Sequence, residues 1–287
     1  MSSEGQTRPP GRVPAVFSVD VDDFPGSEAG VEWLLDLLAR EKGPGSFFVT
    51  GKFASRQPAL VREIKDKGHE VACHGWAHGL DWDEDFGRMS PEEQLRRLRL
   101  ANGAIQQACG MAPTGFRAPY LSVGGDTLRS LAGTGYRWDS SVGSGRFDFG
   151  LGRVNRLGYV FAPRVPYRPD WTRPERRGAA DLTEVPCSAA GLPFSLTTGR
   201  VFGPRILSFV GRWVFRRFRP VVFLLHPWEL VETGKVDHGR RLPGRHLKRR
   251  GAEAKVIVEA VLASWRERME LTTFERVVGG HEANRIA

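Results

Sequence analysis

The feature that most limits the possible fold is an alternation. Short apolar, β-branched runs take turns with stretches of helical period through the first half of the 287 residues. Val13 to Asp20 (V-P-A-V-F-S-V-D) reads as a strand ending in acid. Glu28 to Lys42 carries Val31, Leu34, Leu35 and Leu38 at helical spacing and stops at Gly43-Pro44-Gly45. Ser46 to Thr50 is a second strand, Ala54 to Lys67 a second helix closed by Gly68, and His69 to Cys73 a third strand. An acidic, Trp-bearing loop runs from Leu80 to Arg88. Ser90-Pro91-Glu92-Glu93 then opens a long helix to about Cys109, with Ser as N-cap, Pro at the first helical position and Gly110 as the stop. Strand Gly115–Arg117, helix Asp126–Ala132 and strand Tyr136–Asp139 continue the pattern. Such a repeat is an α/β fold, a parallel sheet with helical crossovers, open or closed into a barrel.

After Ser140 the alternation weakens. Residues 143–180 are rich in Gly, Pro and Arg and read as an irregular insert. Leu182–Pro186 resumes as a strand, Pro204–Phe218 as a basic helix, and Pro220–His226 as a buried strand ending in histidine. Arg249–Met269 is the last predicted helix and Leu271–Phe274 the last strand. With no internal repeat and no clean boundary, a single domain is expected over residues 13–287, behind a disordered lead of residues 1–12.

Net charge is +9, from 42 Lys+Arg against 33 Asp+Glu, and the arginines crowd into patches after residue 145. That excess calls for an acidic partner: nucleic acid, an anionic membrane surface or a phosphorylated carrier. Cys73, Cys109 and Cys187 lack metal-site spacing and are odd in number, so they read as buried or incidental thiols. Met1 to Pro14 has no apolar signal core, and no run approaches the ~20 apolar residues of a membrane-spanning helix. A cytoplasmic protein is expected, with peripheral contact to an anionic membrane left open.

The chemistry gathers at strand ends. His74 and His78, in Cys73-His74-Gly75-Trp76-Ala77-His78, follow the third strand at the spacing that lets two imidazoles reach one ion. Asp20, Asp22 and Asp23 close the first strand, Arg117 the fourth, Asp139 the fifth and His226 a later one. Any of these alone reads as a solvated loop charge. Together, at the carboxyl ends of strands in one parallel sheet, they converge on one face. A carboxylate and two imidazoles leave a divalent metal open positions, and the metal brings the pKa of bound water toward ~7. A second carboxylate takes the proton, an Arg keeps that carboxylate ionised, and a His opposite protonates a leaving amine. These are the parts for metal-assisted hydrolysis of an amide or ester.

At this point the ordered set resembles the polysaccharide deacetylases with the NodB homology domain (carbohydrate esterase family 4), from about Val16 to His226. Ser18-Val19-Asp20-Val21-Asp22-Asp23 is similar to the first family motif, which implies Asp20 as base and Asp22 as metal ligand, with Asp23 the rival ligand. His74-Gly75-Trp76-Ala77-His78 resembles the second, both histidines binding metal. Phe116-Arg117-Ala118-Pro119-Tyr120 resembles the third, whose Arg orients the base while the Tyr120 backbone N–H faces the oxyanion. Tyr136–Ser141, with Asp139, falls where the fourth motif does, and Leu224-Leu225-His226 resembles the fifth, whose His is the general acid. Pro227-Trp228-Glu229 and the later Arg245-His246 look like the bacterial exopolysaccharide-associated branch.

The resemblance implies a distorted (β/α) barrel of about seven parallel strands. It implies one divalent metal, zinc first and cobalt, iron or manganese as alternatives. The implied partner is an acetylated amino-sugar glycan rather than nucleic acid. Asp139 and Tyr120 would border the substrate, and Trp82 and Trp228 are candidate sugar platforms beside it. His69 precedes a strand and reads as structural, and His238 and His246 as solvated loop residues. Two rivals stand beside an N-deacetylase. One is a deacylase or deformylase of the same fold acting on a lipid-linked amino sugar or a small cyclic amide. The other is a non-catalytic basic protein binding anionic glycan or nucleic acid, against which every expected catalytic position is filled.

Overall fold

The computed structural model describes residues 11–78, 84–147, 157–232, 236–237, 240–241 and 244–286. Residues 1–10 of the expected lead, 80–83 of the acidic loop with Trp82, 148–156 of the insert, and His238 lie outside the described residues.

In chain order, β1 (Val13–Val21), α1 (Ser27–Glu41), β2 (Ser46–Val49), α2 (Gly51–Arg56), α3 (Pro58–Asp66) and β3 (Glu70–Cys73) form the first units. The single helix expected over Ala54–Lys67 is two. Pro58 has no N–H to donate and pushes Gln57 out of the helical region, to φ −127°, ψ 52°. Next come α4 (Pro91–Cys109), β4 (Gly115–Phe116), α5 (Gly125–Gly133) and β5 (Trp138–Asp139). Ser90 caps α4 as its sequence predicts, its Oγ accepting from Glu93 N at 3.3 Å.

The stretch expected to be irregular holds more order than its composition suggests. β6 (Gly143–Arg146) lies inside it; β7 (Thr183–Glu184) falls on the strand expected over Leu182–Pro186, and β8 (Cys187–Pro193) and α6 (Leu196–Phe202) follow where no element was expected. β6 pairs with β8 in a small parallel sheet, a contact between segments distant in sequence that no local propensity announces. α7 (Pro204–Arg217) and β9 (Val221–Leu225) match expectation. β10 (Val236–Asp237) and β11 (Arg240–Arg241) form a short antiparallel pair. α8 (Ala252–Trp265) is shorter than expected, β12 starts earlier (Met269–Thr272), and an unforeseen α9 (Phe274–Ile286) follows.

Eight strands share one parallel sheet, ordered β12-β1-β2-β3-β4-β5-β7, with β9 also on β1. β1 organises it: it pairs with β12 through Val13–Val16, with β2 through Ser18–Val21 and with β9 through Ala15–Val19. The expected distorted (β/α) barrel of about seven parallel strands is seen here as an eight-stranded half-barrel.

Alternation along β1 then sorts the chemistry. Ala15, Phe17, Val19 and Val21 pack under the helices in the main core. Val16 faces the other way, into a second cluster with Phe48, Ala72, Trp138, Val185 and Val222. Ser18, Asp20 and Asp22 continue that second face, because side chains two apart in a strand share a side. α9 supplies the floor of this cluster: Phe274 stacks on Trp138 with centroids 5.1 Å apart and meets Phe48 edge-on at 5.3 Å. An apolar layer therefore lies beneath the polar layer at the strands' carboxyl ends.

Candidate active site

Register sets the levels of the site residues. Val21 pairs with Val49 and Val49 with Cys73, so Asp22 and His74 come one step later on the same row. Cys73 pairs with Phe116, which puts Arg117 on that row too. Val19 pairs with Leu225, so His226 is level with Asp20. Neighbouring strands lie about 4.8 Å apart, close enough for these side chains to meet.

Asp22, His74 and His78 each offer one ligand atom, and the three atoms lie within 4.8 Å of one another. His74 Nε2 is 3.7 Å from Asp22 Oδ1. Metal–ligand lengths of about 2.1 Å put two ligands of one ion roughly 3–3.5 Å apart, so this spacing is slightly open. His74 Nδ1 bonds the Arg117 carbonyl at 2.8 Å, which makes Nδ1 the protonated nitrogen and leaves the lone pair on Nε2. Buried His74 Nε2 and Asp22 Oδ1 have no hydrogen-bond partner among the described residues. Burial pushes His74 down to about 4, so the ring is neutral, as a ligand must be. Burial also pushes the Asp22 carboxyl up to about 7, against the pull of His226. Two orphaned donors buried face to face fit a divalent cation.

Asp23 turns elsewhere. Its carboxylate takes Arg56 Nη1 at 2.6 Å and lies 3.8 Å from Lys52 Nζ. Of the two acids that compete in sequence, Asp22 is the one facing the imidazoles.

Asp20 sits beside this group in the grip of Arg117. Arg117 is fully buried. Its Nη1 donates to Asp20 Oδ1 and to Ser18 Oγ, both at 2.6 Å, and its Nε and Nη2 bond Ser140 O and Oγ, both at 2.9 Å. Phe48 backs the guanidinium 3.9 Å from its ring centroid. Burial works to raise the Asp20 carboxyl, but Arg117, His74 and His226 together outweigh it and hold it below the ordinary range. Asp20 is thus an ionised carboxylate locked in one orientation.

His226 has a partner that the sequence did not identify. Glu229 Oε2 accepts from His226 N at 3.0 Å and lies 3.3 Å from His226 Nδ1. Its other oxygen takes Arg200 Nη1 at 2.7 Å and Thr197 Oγ1 at 2.9 Å. Glu229 and Arg200 are both fully buried. Burial works to lower His226, yet the Glu229 carboxylate outweighs it and lifts the imidazole to about 9. Glu229 itself is pulled down to about 2: burial works upward, and His226 and Arg200 overcome it. A carboxylate three residues after a histidine, across Pro227, was the available signal. α1 comes close to this turn because Gly30 has no Cβ; one placed there would sit 2.1 Å from the Pro227 carbonyl oxygen.

Around this centre the loops are braced. Glu84 is buried, accepting from Trp76 N at 3.3 Å and Arg97 Nη1 at 2.6 Å, so it ties down the loop between the two histidines. Gly75 takes φ +73°, a left-handed turn that an L side chain resists. Tyr120 is left-handed as well, at φ 59°, and its ring lies 4.3 Å from that of His78. Trp228 is half-buried at the rim, 5.6 Å from the His226 ring and 5.9 Å from Phe24. Asp139 departs from the expectation of a substrate contact. It has no exposed surface, accepts from Ser141 Oγ at 2.6 Å, and is the register partner of buried Glu184. Burial raises both carboxyls, Asp139 to about 6, so the pair is a structural link in the barrel wall. His69 is structural as expected, Nδ1 accepting from Gly45 N at 3.1 Å. The three cysteines are free and buried.

Fold and site define an α/β half-barrel with an Asp–His–His cluster and a clamped carboxylate at its carboxyl rim. Residues 14–138, a little under half of the chain, match the sequence model of the family described as polysaccharide deacetylase. A chitooligosaccharide deacetylase of Bradyrhizobium sp. is 37% identical over 36% of this chain and 45% of its own length. A peptidoglycan deacetylase of Helicobacter pylori is 28% identical over 56% of this chain and 53% of its own. The chain thus spans about half the length of the curated relatives it matches. The fold extends further: the crystal structure of a chain from Mycobacterium smegmatis assigned as a polysaccharide deacetylase superposes with TM-score 0.64 over 97% of this chain and 93% of that one, at 22% identity.

Proposed function

We propose that this protein is a metal-dependent hydrolase that removes the N-acetyl group from an amino sugar of a glycan or glycan precursor. The observation that carries the reading is the pair of buried, partnerless donors, Asp22 Oδ1 and His74 Nε2, beside a carboxylate that Arg117 holds ionised. Asp22, His74 and His78 would hold one divalent cation, zinc first by its N/O preference. When bound, the cation supplies Lewis acidity and makes water a better nucleophile near neutral pH.

The chain's own groups account for the proton traffic. Asp20 takes the proton from the attacking water. The new C–O bond forms as the amide carbon becomes tetrahedral, and the Tyr120 backbone N–H faces the developing oxyanion. His226, held protonated by Glu229, gives its proton to the amide nitrogen as the C–N bond breaks, leaving acetate and a free amine. Trp228 at the rim offers an aromatic face to the sugar.

Metal content and product release test this together. The purified protein is expected to carry about one divalent ion per chain and to release acetate from N-acetylated glucosamine oligomers. His74→Ala should lose both. Full metal occupancy in His74→Ala would end the ligand assignment. Formate release from an N-formylated amino sugar, with no acetate from any acetylated one, would move the reading to a deformylase.

A further inference from the structure

We infer that the outer face of α7 is a docking surface for an anionic lipid bilayer. The helix buries one stripe, Leu207, Val210, Gly211 and Val214, against the barrel. At 100° per residue, Ile206, Phe209 and Trp213 form a second stripe, turned away from the first. That second stripe faces solvent: Phe209 is 62% and Ile206 42% exposed, and Phe202, just before the helix, is 47% exposed. A crossover helix needs only one apolar stripe. In the second, Trp213 is half-buried against the main core, while Ile206 and Phe209 belong to no core cluster and face outward.

Along this stretch of chain the charge is of one sign. Between Glu184 and Glu229 the chain has no acidic residue and six arginines: Arg200, Arg205, Arg212, Arg216, Arg217 and Arg219. Arg200 is buried in its pair with Glu229. Arg205, Arg212, Arg216, Arg217 and Arg219 are exposed. The surface continues past the helix. Arg164 and Arg217 stack on Trp213, their Cζ atoms 4.8 and 4.7 Å from its ring centroid. Val165 beside Arg164 is 38% exposed, and Phe161, four residues before Val165, is 88% exposed.

Exposed aromatic and aliphatic side chains flanked by arginines, on a helix of 14 residues, suit the boundary between headgroups and acyl chains. The helix is about 21 Å long, too short to cross the ~30 Å hydrocarbon core. Among the described residues no helix is long and apolar enough to do so. A second copy of this chain is a poorer occupant, because two such faces would bring like charges together with no acid to pair them. Nucleic acid would use the arginines but gains nothing from an exposed aliphatic Ile206.

Vesicle co-sedimentation of the full chain tests the inference, using phosphatidylcholine vesicles with and without phosphatidylglycerol. The wild type should pellet with the anionic vesicles at low salt and much less at high salt. Each arginine near the surface is worth about fivefold in partitioning, so Arg205, Arg212 and Arg216 changed together to Gln should weaken binding by roughly a hundredfold. Phe209→Ser with Ile206→Ser should also weaken it, with the circular-dichroism melt unchanged. Three results would overturn the inference. The wild type could ignore anionic vesicles at low salt. The Ser variant could bind as well as wild type, leaving only diffuse charge. Or sedimentation velocity could show a dimer that the Ser variant abolishes, which would assign the face to a second copy.

Discussion

Glu229→Gln is the most informative substitution in this molecule, because the proposed reaction and the stability should respond to it differently. Gln keeps the shape but removes the charge. In the wild type the carboxylate lies 3.3 Å from His226 Nδ1 and 2.7 Å from Arg200 Nη1, with no solvent access. Removing one partner of a buried ion pair costs about 3–5 kcal/mol, since Arg200 stays charged in the interior without its carboxylate counter-charge. A domain with about 5–15 kcal/mol to lose should still fold. For turnover, loss of a positioned, protonated general acid predicts a fall in kcat of roughly 10²–10⁴-fold with little change in KM. The pH profile should move as well. Glu229 lifts His226 to about 9, so acid-dependent turnover should persist in the wild type until pH rises through that value. In the variant the falling limb should shift toward the ordinary imidazole range. Stability carries the opposite sign. The depressed Glu229 carboxyl contributes stability present above its ordinary value of 4.5 and lost as pH falls through about 2. The acid limb of the melting curve should therefore flatten in the variant. Steady-state kinetics across pH and thermal melts, with the double variant Glu229→Gln/Arg200→Met, complete the test. The second change removes the stranded charge and should recover part of the melting temperature but none of the turnover. If it restores kcat as well, Glu229 is only a structural partner and the reasoning fails.

Asp20→Asn should keep its metal and lose about 10²–10⁴-fold in turnover, as expected of a base that is not a ligand; metal loss here but not in Asp22→Asn would exchange the two roles. His226→Ala should bind metal normally, lose turnover on amides, and be partly rescued by a substrate with an activated leaving group; equal loss on both substrates would count against an acid role. Asp23→Asn should retain metal and activity and shift stability by no more than about 1 kcal/mol, because its partners Arg56 and Lys52 are largely exposed; lost metal would make Asp23 the ligand.

Much of this protein was determined by local sequence. The two periods, near two and near 3.6, identify the strand–helix units, and the strand ends place Asp20, Asp22, His74, His78, Arg117 and His226 on one rim. That worked because a parallel sheet with helical crossovers has only one carboxyl end, and side chains two apart in a strand must share a face. What sequence could not decide were pairings between distant residues. Asp22 and Asp23 are equal in sequence; Arg56, 33 residues further on, draws Asp23 away. Asp139 ends a strand like the other site residues, but Glu184 opposite closes it into the wall. Glu229 had no assigned role in the sequence; Arg200, 29 residues before it, meets it in the interior. α9 has no apolar stripe to announce it, and only packing shows Phe274 as the floor beneath Arg117. Each of these depends on which groups share a low-dielectric space, and chain folding alone sets that.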